Sequence, residues 1–295
     1  MREMVPNMNG LLVIDKPGGM TSRDVVNRVQ KWFPRKTKIG HTGTLDPLAT
    51  GVLVVCVGAA TRLADYVQAM GKSDASRCRF GASSTTDDAD GEVIETPDAM
   101  PPSHEELQTA LASFVGRIEQ LPPAFSALKL GGQRAHDLAR AGKEVPLAPR
   151  TVRIEAIRLV KYEWPFADVE VDCGKGTYIR SIARDVGEKL GVGGIVQTLR
   201  RTRVGPFLAE QGLDLDTDPS QVKLLPISDA IAGMPQVRLD AERERRFRCG
   251  QTVGAELGDD VAVGTEIAVL GEAAELVGIA VWERGFVRPH IVFQI

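Results

Sequence analysis

The chain has 295 residues, of which 43 % are hydrophobic and 25 % charged, enough for one large and one small domain, each with its own core. Its formal net charge of −3 argues against indiscriminate nucleic-acid binding but is compatible with a local basic face. No apolar run reaches the length of a membrane span, and Met1–Met4 lack a signal-peptide pattern. Both features predict a cytoplasmic protein with no membrane association.

The four cysteines are widely spaced along the chain, and three of them lie in apolar or strand-like stretches: Cys56, Cys78, Cys173 and Cys249. Their spacing matches no metal-binding pattern, and neighbouring pairs typical of a disulfide-rich secreted domain are missing. We therefore expect free thiols in a reducing compartment and no metal site.

The N-terminal part predicts a strand, a turn and a helix. Leu11–Ile14 is a short apolar run typical of a strand, and residues 15–19 form a turn-like sequence after it. Thr21 and Asp24 have the spacing of a capping box at a helix start. Apolar residues recur at helical period as far as Phe33, so this face of the helix is expected to be core.

Residues 40–51, Gly-His-Thr-Gly-Thr-Leu-Asp-Pro-Leu-Ala-Thr-Gly, carry one carboxylate, Asp46, among glycines and threonines. This composition predicts an irregular loop, in which Pro47 keeps Asp46 in an extended or turn conformation. The apolar run 52–57 predicts a buried strand after it. A carboxylate on a stiff loop beside such a strand is suited to act as a nucleophile or base. The alternative is an Asp-Pro turn whose acid bonds to its own backbone.

The middle of the chain contains an acidic link, a predicted helix and a basic stretch. Residues 84–91 include three aspartates, but they lack the spacing of a calcium loop, so a solvated hairpin turn is predicted. Ser103 and Glu106 form a second capping box, which opens a helix that extends to about Val115. His136 lies farther along the chain, in a stretch that also contains lysine and arginine.

A strand-to-helix corner is predicted at residues 174–181. An alternating strand ends at Gly174, Thr177 is the expected N-cap, and Gly191 is the expected C-terminal stop of the helix. Arg180 then lies in the first helical turn, where a cation opposes the helix dipole by roughly 0.3–1 kcal/mol. This placement indicates that an anion, a phosphate or a nearby carboxylate, holds Arg180. The alternative is a solvent-exposed arginine whose penalty is screened.

Residues 40–51 resemble the signature loop of the TruB-type tRNA pseudouridine synthases, and other stretches match in the same order over most of the chain. The resemblance implies an α+β fold with a mixed, largely antiparallel central sheet, flanking helices and a small β-rich C-terminal PUA-like domain. It implies a catalytic domain over residues 1–213, with an RNA-gripping insertion at about 100–150. A linker over 214–235 and a PUA-like RNA-binding domain over 236–295 complete the expected organisation.

This resemblance implies that a flipped-out uridine, at position 55 in the T-arm of tRNA, is isomerised to pseudouridine. The family's loop aspartate is catalytic, and Asp46 occupies its position. The Lys-Gly-Thr-Tyr-Ile-Arg stretch of the family provides an aromatic that stacks on the base and an arginine that pairs with the aspartate. Tyr178 and Arg180 occupy those positions, and Leu199 matches the apolar residue beside the base.

Three further residues are implied to contact the substrate. Lys16 belongs to an Asp-Lys-Pro motif, His41 would occupy the space that the flipped base leaves or contact a phosphate, and Lys175 begins the corner motif. The isomerisation has no net redox change, so neither a cofactor nor a metal is expected. The expected partner is tRNA, including its acceptor end at the PUA-like domain, and the enzyme is expected to be a monomer.

The chain departs from the family at Asp74. Lys72 fits the family's Lys-X-Tyr pattern, but Asp74 stands where the family has a tyrosine that is important to catalysis. Three explanations are open. Asp74 acts as a proton acceptor; or the loop is built differently, with Phe80 or another group filling the space; or the chain binds tRNA and modifies it slowly or not at all.

Two other functional classes remain open at this point. A tRNA-binding protein that helps tRNA to fold is favoured weakly by Asp74 and opposed by Asp46 and Arg180. A carboxylate-dependent hydrolase fits less well, because an aspartyl phosphatase needs a second aspartate where Leu48 stands. A glycosidase needs two carboxylates, and only Asp46 is well placed.

Overall fold

The computed structural model describes residues 9–258 and 260–294, so Met1–Met4 lie outside the described residues. The strands, in chain order, are β1 (Gly10–Lys16), β2 (Ile39–His41), β3 (Thr50–Val57), β4 (Lys72–Phe80), β5 (Ala82–Ser84), β6 (Val93–Glu95), β7 (Gly116–Gln120), β8 (Lys129–Leu130), β9 (Gln133–Arg134), β10 (Arg150–Glu163), β11 (Phe166–Cys173), β12 (Gly194–Val204), β13 (Phe207–Leu208), β14 (Gln236–Arg238), β15 (Val253–Gly254), β16 (Glu266–Leu270), β17 (Leu276–Glu283) and β18 (Phe286–Val292).

The α-helices are α1 (Ser22–Val29), α2 (Ala64–Ala69), α3 (His104–Ala112), α4 (Ala135–Arg140), α5 (Ile179–Lys189) and α6 (Ala241–Arg248). Both predicted capping boxes are present, with Thr21 and Asp24 at the start of α1 and Ser103 and Glu106 at the start of α3. Each box satisfies two backbone N–H groups that a helix start otherwise leaves without partners. Helix α3 ends at Ala112, three residues before the predicted end at Val115.

A mixed sheet forms the centre of the described part of the chain. Its order is β1-β3-β12-β4-β11-β10-β7, with β2 and β13 paired at the side. The strand pairs are antiparallel except for β3 with β12, whose parallel pairing joins Arg200 to Thr50 and Arg201 to Gly51. The predicted α+β class with a largely antiparallel central sheet is therefore confirmed.

Two apolar cores lie on opposite faces of this sheet. On one face, Val25 of α1, Leu107 of α3 and Ile182 of α5 pack against side chains of the central strands. On the other face, Leu11 and Val13 of β1, with Val52 and Val54 of β3, share a core with the C-terminal sheet. Strands β1 and β3 are buried on both faces, which explains why their sequences are continuous apolar runs.

The C-terminal part forms a second sheet, of order β14-β16-β17-β18-β15, that is antiparallel apart from β14 with β16. The segment predicted as a linker, residues 214–235, follows a backbone contact between Leu213 and Val13 and makes another between Leu225 and Leu11. This segment therefore runs along β1. None of the helices in residues 9–258 and 260–294 is both long and apolar enough to cross a membrane.

The end of the signature loop is fixed by close backbone packing. Gly51 has φ +98°, and a Cβ added there would lie 2.0 Å from the carbonyl oxygen of Arg201. Gly43, in the same loop, has ordinary φ and open space around the position of a Cβ. The loop is thus anchored to β12 at one glycine and unconstrained at the other.

We therefore expect Gly51→Ala to lower the free energy of unfolding by roughly 2–4 kcal/mol, because it combines a strained φ with an overlap against backbone. Gly43→Ala is the matched control and should change this free energy by less than about 1 kcal/mol. Denaturant unfolding of both variants tests the expectation. Equal losses in the two would contradict the close β3–β12 packing.

Candidate active site

The loop that carries Asp46 is held from below by a buried lysine. Lys16 is fully buried, and its Nζ donates to the carbonyl oxygens of Pro17 (2.9 Å), Met20 (2.7 Å) and Pro47 (3.3 Å). Burial lowers the pKa of Lys16 to about 8.

The first residues of the predicted loop are regular, since Gly40 and His41 belong to β2, so the irregular part covers residues 42–49.

Arg180 is the centre of the site, and both terminal nitrogens of its guanidinium contact partners from other segments, whereas its Nε is buried without a partner in the described ranges. Nη2 lies 2.9 Å from Oδ2 of Asp46 and donates to the carbonyl oxygen of Phe125 at 2.9 Å. Nη1 donates to the carbonyl oxygen of Thr86 at 2.7 Å and lies 3.2 Å from Oδ2 of Asp88. Only 3 % of the Arg180 side chain is exposed. The anion that its helical position predicted is therefore a pair of carboxylates.

The start of α5 differs from the sequence prediction. Tyr178 is the N-cap, not Thr177, and no side chain of the cap residue bonds to the helix. The Gln120 side chain instead accepts from the Tyr178 N–H at 2.8 Å and donates to its carbonyl oxygen at 3.1 Å. A long-range amide thus replaces the local hydroxyl, which explains why spacing alone gave the wrong cap. Arg180 lies in the first turn, as predicted.

The charged form of Asp46 is disfavoured by its surroundings. Burial raises the pKa of its carboxyl, Arg180 lowers it, and the neighbouring Asp88 carboxylate raises it again. The net shift is upward, so the ion pair with Arg180 does not fully offset the lost hydration. Such a carboxylate is more basic and less solvated than an ordinary aspartate, which suits a nucleophile or a stabiliser of positive charge.

Two adjoining cavities meet at the Asp46–Arg180 pair. The larger, of about 510 Å³, contains His41 and Asp88 in its wall and has four exposed cations around it: Arg23, Lys129, Arg134 and Arg140. The smaller, of about 330 Å³, is lined by Tyr178, Leu199 and Lys175. Both lie in the size range of small-ligand pockets. The structure therefore brings five of the predicted site residues together around the smaller cavity: Asp46, Arg180, Tyr178, Leu199 and Lys175.

The remaining predicted residues occupy different places. His41 lines the larger cavity, its Nδ1 lies 2.7 Å from the carbonyl oxygen of Gly43, and burial lowers its pKa. Lys16 lies beneath the loop and lines neither cavity. It therefore shapes the loop that carries Asp46 and does not face the open space.

Asp74 is 1 % exposed and lines neither cavity beside Asp46. Its two oxygens accept from Nε (2.9 Å) and Nη2 (3.2 Å) of Arg201, which does line the smaller cavity. Phe80 is in the apolar core and takes no part in the cavity wall. The filling of this space by Phe80 is thus excluded, and the group that faces the cavity is the arginine paired with Asp74.

Sequence reasoning missed two residues of the site. The acidic link was predicted as a solvated turn, but Asp88 is 4 % exposed and contacts Arg180, while Asp87 pairs with Arg184 at 2.7 Å. The sequence analysis assigned no role to Arg201. Two arginines in the first turns of α5 were the available signal for Asp87 and Asp88, because buried guanidinium groups need carboxylates.

No three His, Cys, Asp or Glu side chains converge as a metal-ligand set within residues 9–258 and 260–294. The four cysteines are free thiols, and three are buried, as predicted.

Comparison with known proteins gives one consistent result. Residues 31–179 match the model of the TruB family pseudouridylate synthase N-terminal domain, and residues 180–219 match that of the tRNA pseudouridylate synthase B C-terminal domain. The chain is 42 % identical over 301 residues to tRNA pseudouridine synthase B of Cereibacter sphaeroides strain ATCC 17023, covering 98 % of this chain and 97 % of that protein. It is 42 % identical over 298 residues to the enzyme of that name from Ruegeria sp. strain TM1040, with the same two coverages.

Solved structures share the fold at lower identity. A Cbf5-Nop10-Gar1 complex contains a chain with a TM-score of 0.75 and 23 % identity, covering 99 % of this chain and 91 % of that one. An H/ACA RNP bound to a substrate RNA containing 2'-deoxyuridine contains one with a TM-score of 0.74 and 22 % identity, covering 100 % and 92 %.

The electrostatics of the site predict that Asp88→Asn lowers the pKa of Asp46. The variant removes a neighbouring negative charge and leaves the Arg180 cation with fewer competing carboxylates, and both changes favour ionised Asp46. Carboxyl NMR titration, with the Asp46 resonance assigned from Asp46→Asn, measures the shift. Asp168→Asn, on a partly exposed aspartate paired with Arg77, is the matched control and should leave the Asp46 titration in place. An Asp46 pKa that stays or rises in Asp88→Asn would contradict this account.

Proposed function

The chain belongs to the TruB family of pseudouridylate synthases, and from this premise we propose that it isomerises the uridine at position 55 in the T-arm of tRNA, with Asp46 as the catalytic carboxylate. The observation that carries the proposal is the Asp46–Arg180 pair, whose oxygen and nitrogen are 2.9 Å apart in a cavity wall shared with Tyr178. A paired, poorly hydrated carboxylate beside an aromatic ring is what an extruded nucleotide would require.

The chemistry fits a site that works with side chains alone. Conversion of uridine to pseudouridine breaks the bond between ribose C1′ and base N1, turns the base over, and joins C5 to C1′. A carboxylate assists this by attacking the sugar or the base, or by stabilising positive charge on the departing sugar. The raised pKa of Asp46 is consistent with each of these roles, because it reflects incomplete solvation of the negative charge.

Stacking accounts for how the target leaves the RNA. Flipping a nucleotide out of its stack costs a few kcal/mol, and stacking on an aromatic side chain returns roughly 1–3 kcal/mol. Tyr178 and Leu199 line the smaller cavity, so we assign them as the two surfaces that hold the base. His41, which lines the larger cavity, is assigned to RNA contact, and Lys175 to a phosphate of the same strand.

The exposed cations around the larger cavity support the binding of an RNA backbone. Arg23 comes from α1, and Lys129, Arg134 and Arg140 come from the insertion, so the larger cavity lies between two basic walls. These exposed groups form a local basic face on a chain whose net charge is negative, and phosphate contacts depend on such local clusters. We propose residues 1–213 as the catalytic domain and the C-terminal residues 236–295 as a PUA-like RNA-binding domain.

The second candidate is a tRNA-binding protein with weak or no catalysis, and Asp74 is the observation that favours it. Tritium release from T-arm RNA labelled at C5 of uridine separates the two functions, because only the isomerase exchanges that hydrogen. Release by the wild-type protein supports the proposed function. RNA binding without release would overturn it in favour of the passive binder.

Asp46→Asn should abolish tritium release while leaving the dissociation constant for tRNA within about threefold. Its melting temperature should not fall. Burial raises the pKa of the Asp46 carboxyl, so the ionised form is less favoured in the folded state than in the unfolded chain, and a neutral amide at this position avoids that cost. Asp168→Asn is the control for the same chemical change away from the cavity and should retain full release. Turnover surviving in Asp46→Asn would remove this residue from the mechanism.

A further inference from the structure

Asp74 and Arg201 form a second buried ion pair next to the site. They lie directly opposite each other in the antiparallel pairing of β4 with β12, and they make two hydrogen bonds. The Asp74 side chain is 1 % exposed and the Arg201 side chain 12 %. A buried pair of this kind is weak support for stability, because desolvation offsets much of the attraction. Because the pair lies beside the cavity, we considered a role in binding or catalysis.

The other buried cations of the site already donate most of their hydrogen bonds to groups of the protein. Both terminal nitrogens of Arg180 are occupied by carboxylates and carbonyl oxygens, and its Nε has no partner in residues 9–258 and 260–294 but is buried out of reach of a ligand. Lys72, in the wall of the smaller cavity, donates to the carbonyl oxygens of Gln68 and Met70, both at 2.8 Å. Lys175, Lys129 and Arg150, which also line that cavity, are exposed.

Arg201 has a free edge. Within the described part of the chain, the hydrogen bonds of its guanidinium go to Asp74 alone, through Nε and Nη2, so Nη1 keeps its donors. Arg201 and Leu199 are two residues apart on β12, and both line the smaller cavity. The Arg201 charge also reaches Asp46, since it lowers the pKa of that carboxyl after the larger effects of burial, Arg180 and Asp88.

The backbone of Arg201 is fixed by the signature loop itself. Arg201 pairs with Gly51 in the parallel pairing of β12 with β3. The carbonyl group of Arg201 occupies the position that a Cβ atom at residue 51 would need. The side chain is therefore held at both ends, by Gly51 through the backbone and by Asp74 through the guanidinium. A cation held in this way needs no reorganisation to act on a developing charge.

We propose that Arg201 is a second catalytic cation of this site, which binds a carbonyl oxygen of the extruded pyrimidine base, and that Asp74 is its positioning residue. The proposal rests on the proposed function. When the C1′–N1 bond breaks with both electrons remaining on the base, the base becomes an anion whose charge is shared by N1 and the two carbonyl oxygens. Arg201 stabilises that anion until the base has turned.

The later steps remove the negative charge from the base. An electron pair of the base forms the C5–C1′ bond, C5 then loses its proton to a general base or water, and N1 gains one. No oxidant or further reactant is needed. The cation acts in the interval between the bond that breaks and the bond that forms, so its removal should lower the rate and leave RNA binding unchanged.

The test compares two variants by single-turnover tritium release at saturating protein. Arg201→Lys keeps a cation, whereas Asp74→Leu/Arg201→Met replaces the buried pair by apolar groups and avoids an unpaired carboxylate. We expect the double variant to release tritium about 100- to 1,000-fold more slowly than the wild type, as for the loss of a charge-stabilising donor. Arg201→Lys should retain more activity than the double variant, and both should bind tRNA within about threefold of the wild type.

Melting temperature is the second readout, and it separates catalysis from packing. A catalytic cation predicts that the rate follows the charge at position 201 whatever the melting temperature. A double variant with the wild-type rate, or rates that follow melting temperature, would overturn the proposal. Arg77→Met is the matched control, because Arg77 is an arginine of β4 that pairs with Asp168 and is half exposed. It should keep the wild-type rate.

Failure of the proposed function gives a different result from failure of this inference. If the wild-type protein binds T-arm RNA without releasing tritium, the isomerase assignment fails. If the wild type is active and Asp46→Asn is inactive, but the double variant keeps the wild-type rate, only the role of Arg201 fails.

Discussion

The buried guanidinium of Arg180 is the constraint on which the site depends. An arginine that is 3 % exposed is stable only when carboxylates and carbonyl oxygens replace the water that it has lost. Its partners come from three segments far apart in sequence: Asp46 in the signature loop, Asp88 and Thr86 in the acidic link, and Phe125 in the insertion. One charge thus holds three segments of the cavity wall together.

The same requirement explains why the ionised form of the Asp46 carboxyl is disfavoured. Arg180 is shared between two aspartates, so neither receives its full charge, and burial outweighs what Asp46 obtains. A fully neutralised Asp46 would be more stable but less able to respond to positive charge on a sugar. The backbone around it is secured by other means, namely the Lys16 contacts to Pro47 and the hydrogen bond from the Leu45 N–H to the Ser22 hydroxyl.

Local patterns were sufficient for much of the fold and for half of the site. Capping boxes, apolar strands and the first-turn position of Arg180 depend on neighbouring residues, and each was predictable. The burial of Asp88 was not predictable, because the acidic link around it has the composition of an exposed turn and only tertiary contact with α5 buries this residue. The prediction of the α5 N-cap was wrong for the same reason, because the side chain that bonds to Tyr178 belongs to Gln120, 58 residues away.

Asp74 shows why a departure from a family pattern is difficult to interpret from sequence. Its partner is 127 residues away and becomes visible only through the register of β4 with β12. Once that register is known, the substitution no longer leaves a gap in the wall, because Arg201 supplies the surface there.

The arginines of the two buried ion pairs differ in the hydrogen-bond donors that they can offer to a ligand. Both terminal nitrogens of Arg180 are occupied and its Nε is buried, so it presents no donor to a ligand, whereas Nη1 of Arg201 has no partner among the residues that the structure describes and Arg201 lines the smaller cavity. A site that must hold an anionic base beside Asp46 and Asp88 needs such a cation, since two fixed carboxylates would otherwise repel the base at the moment it carries negative charge.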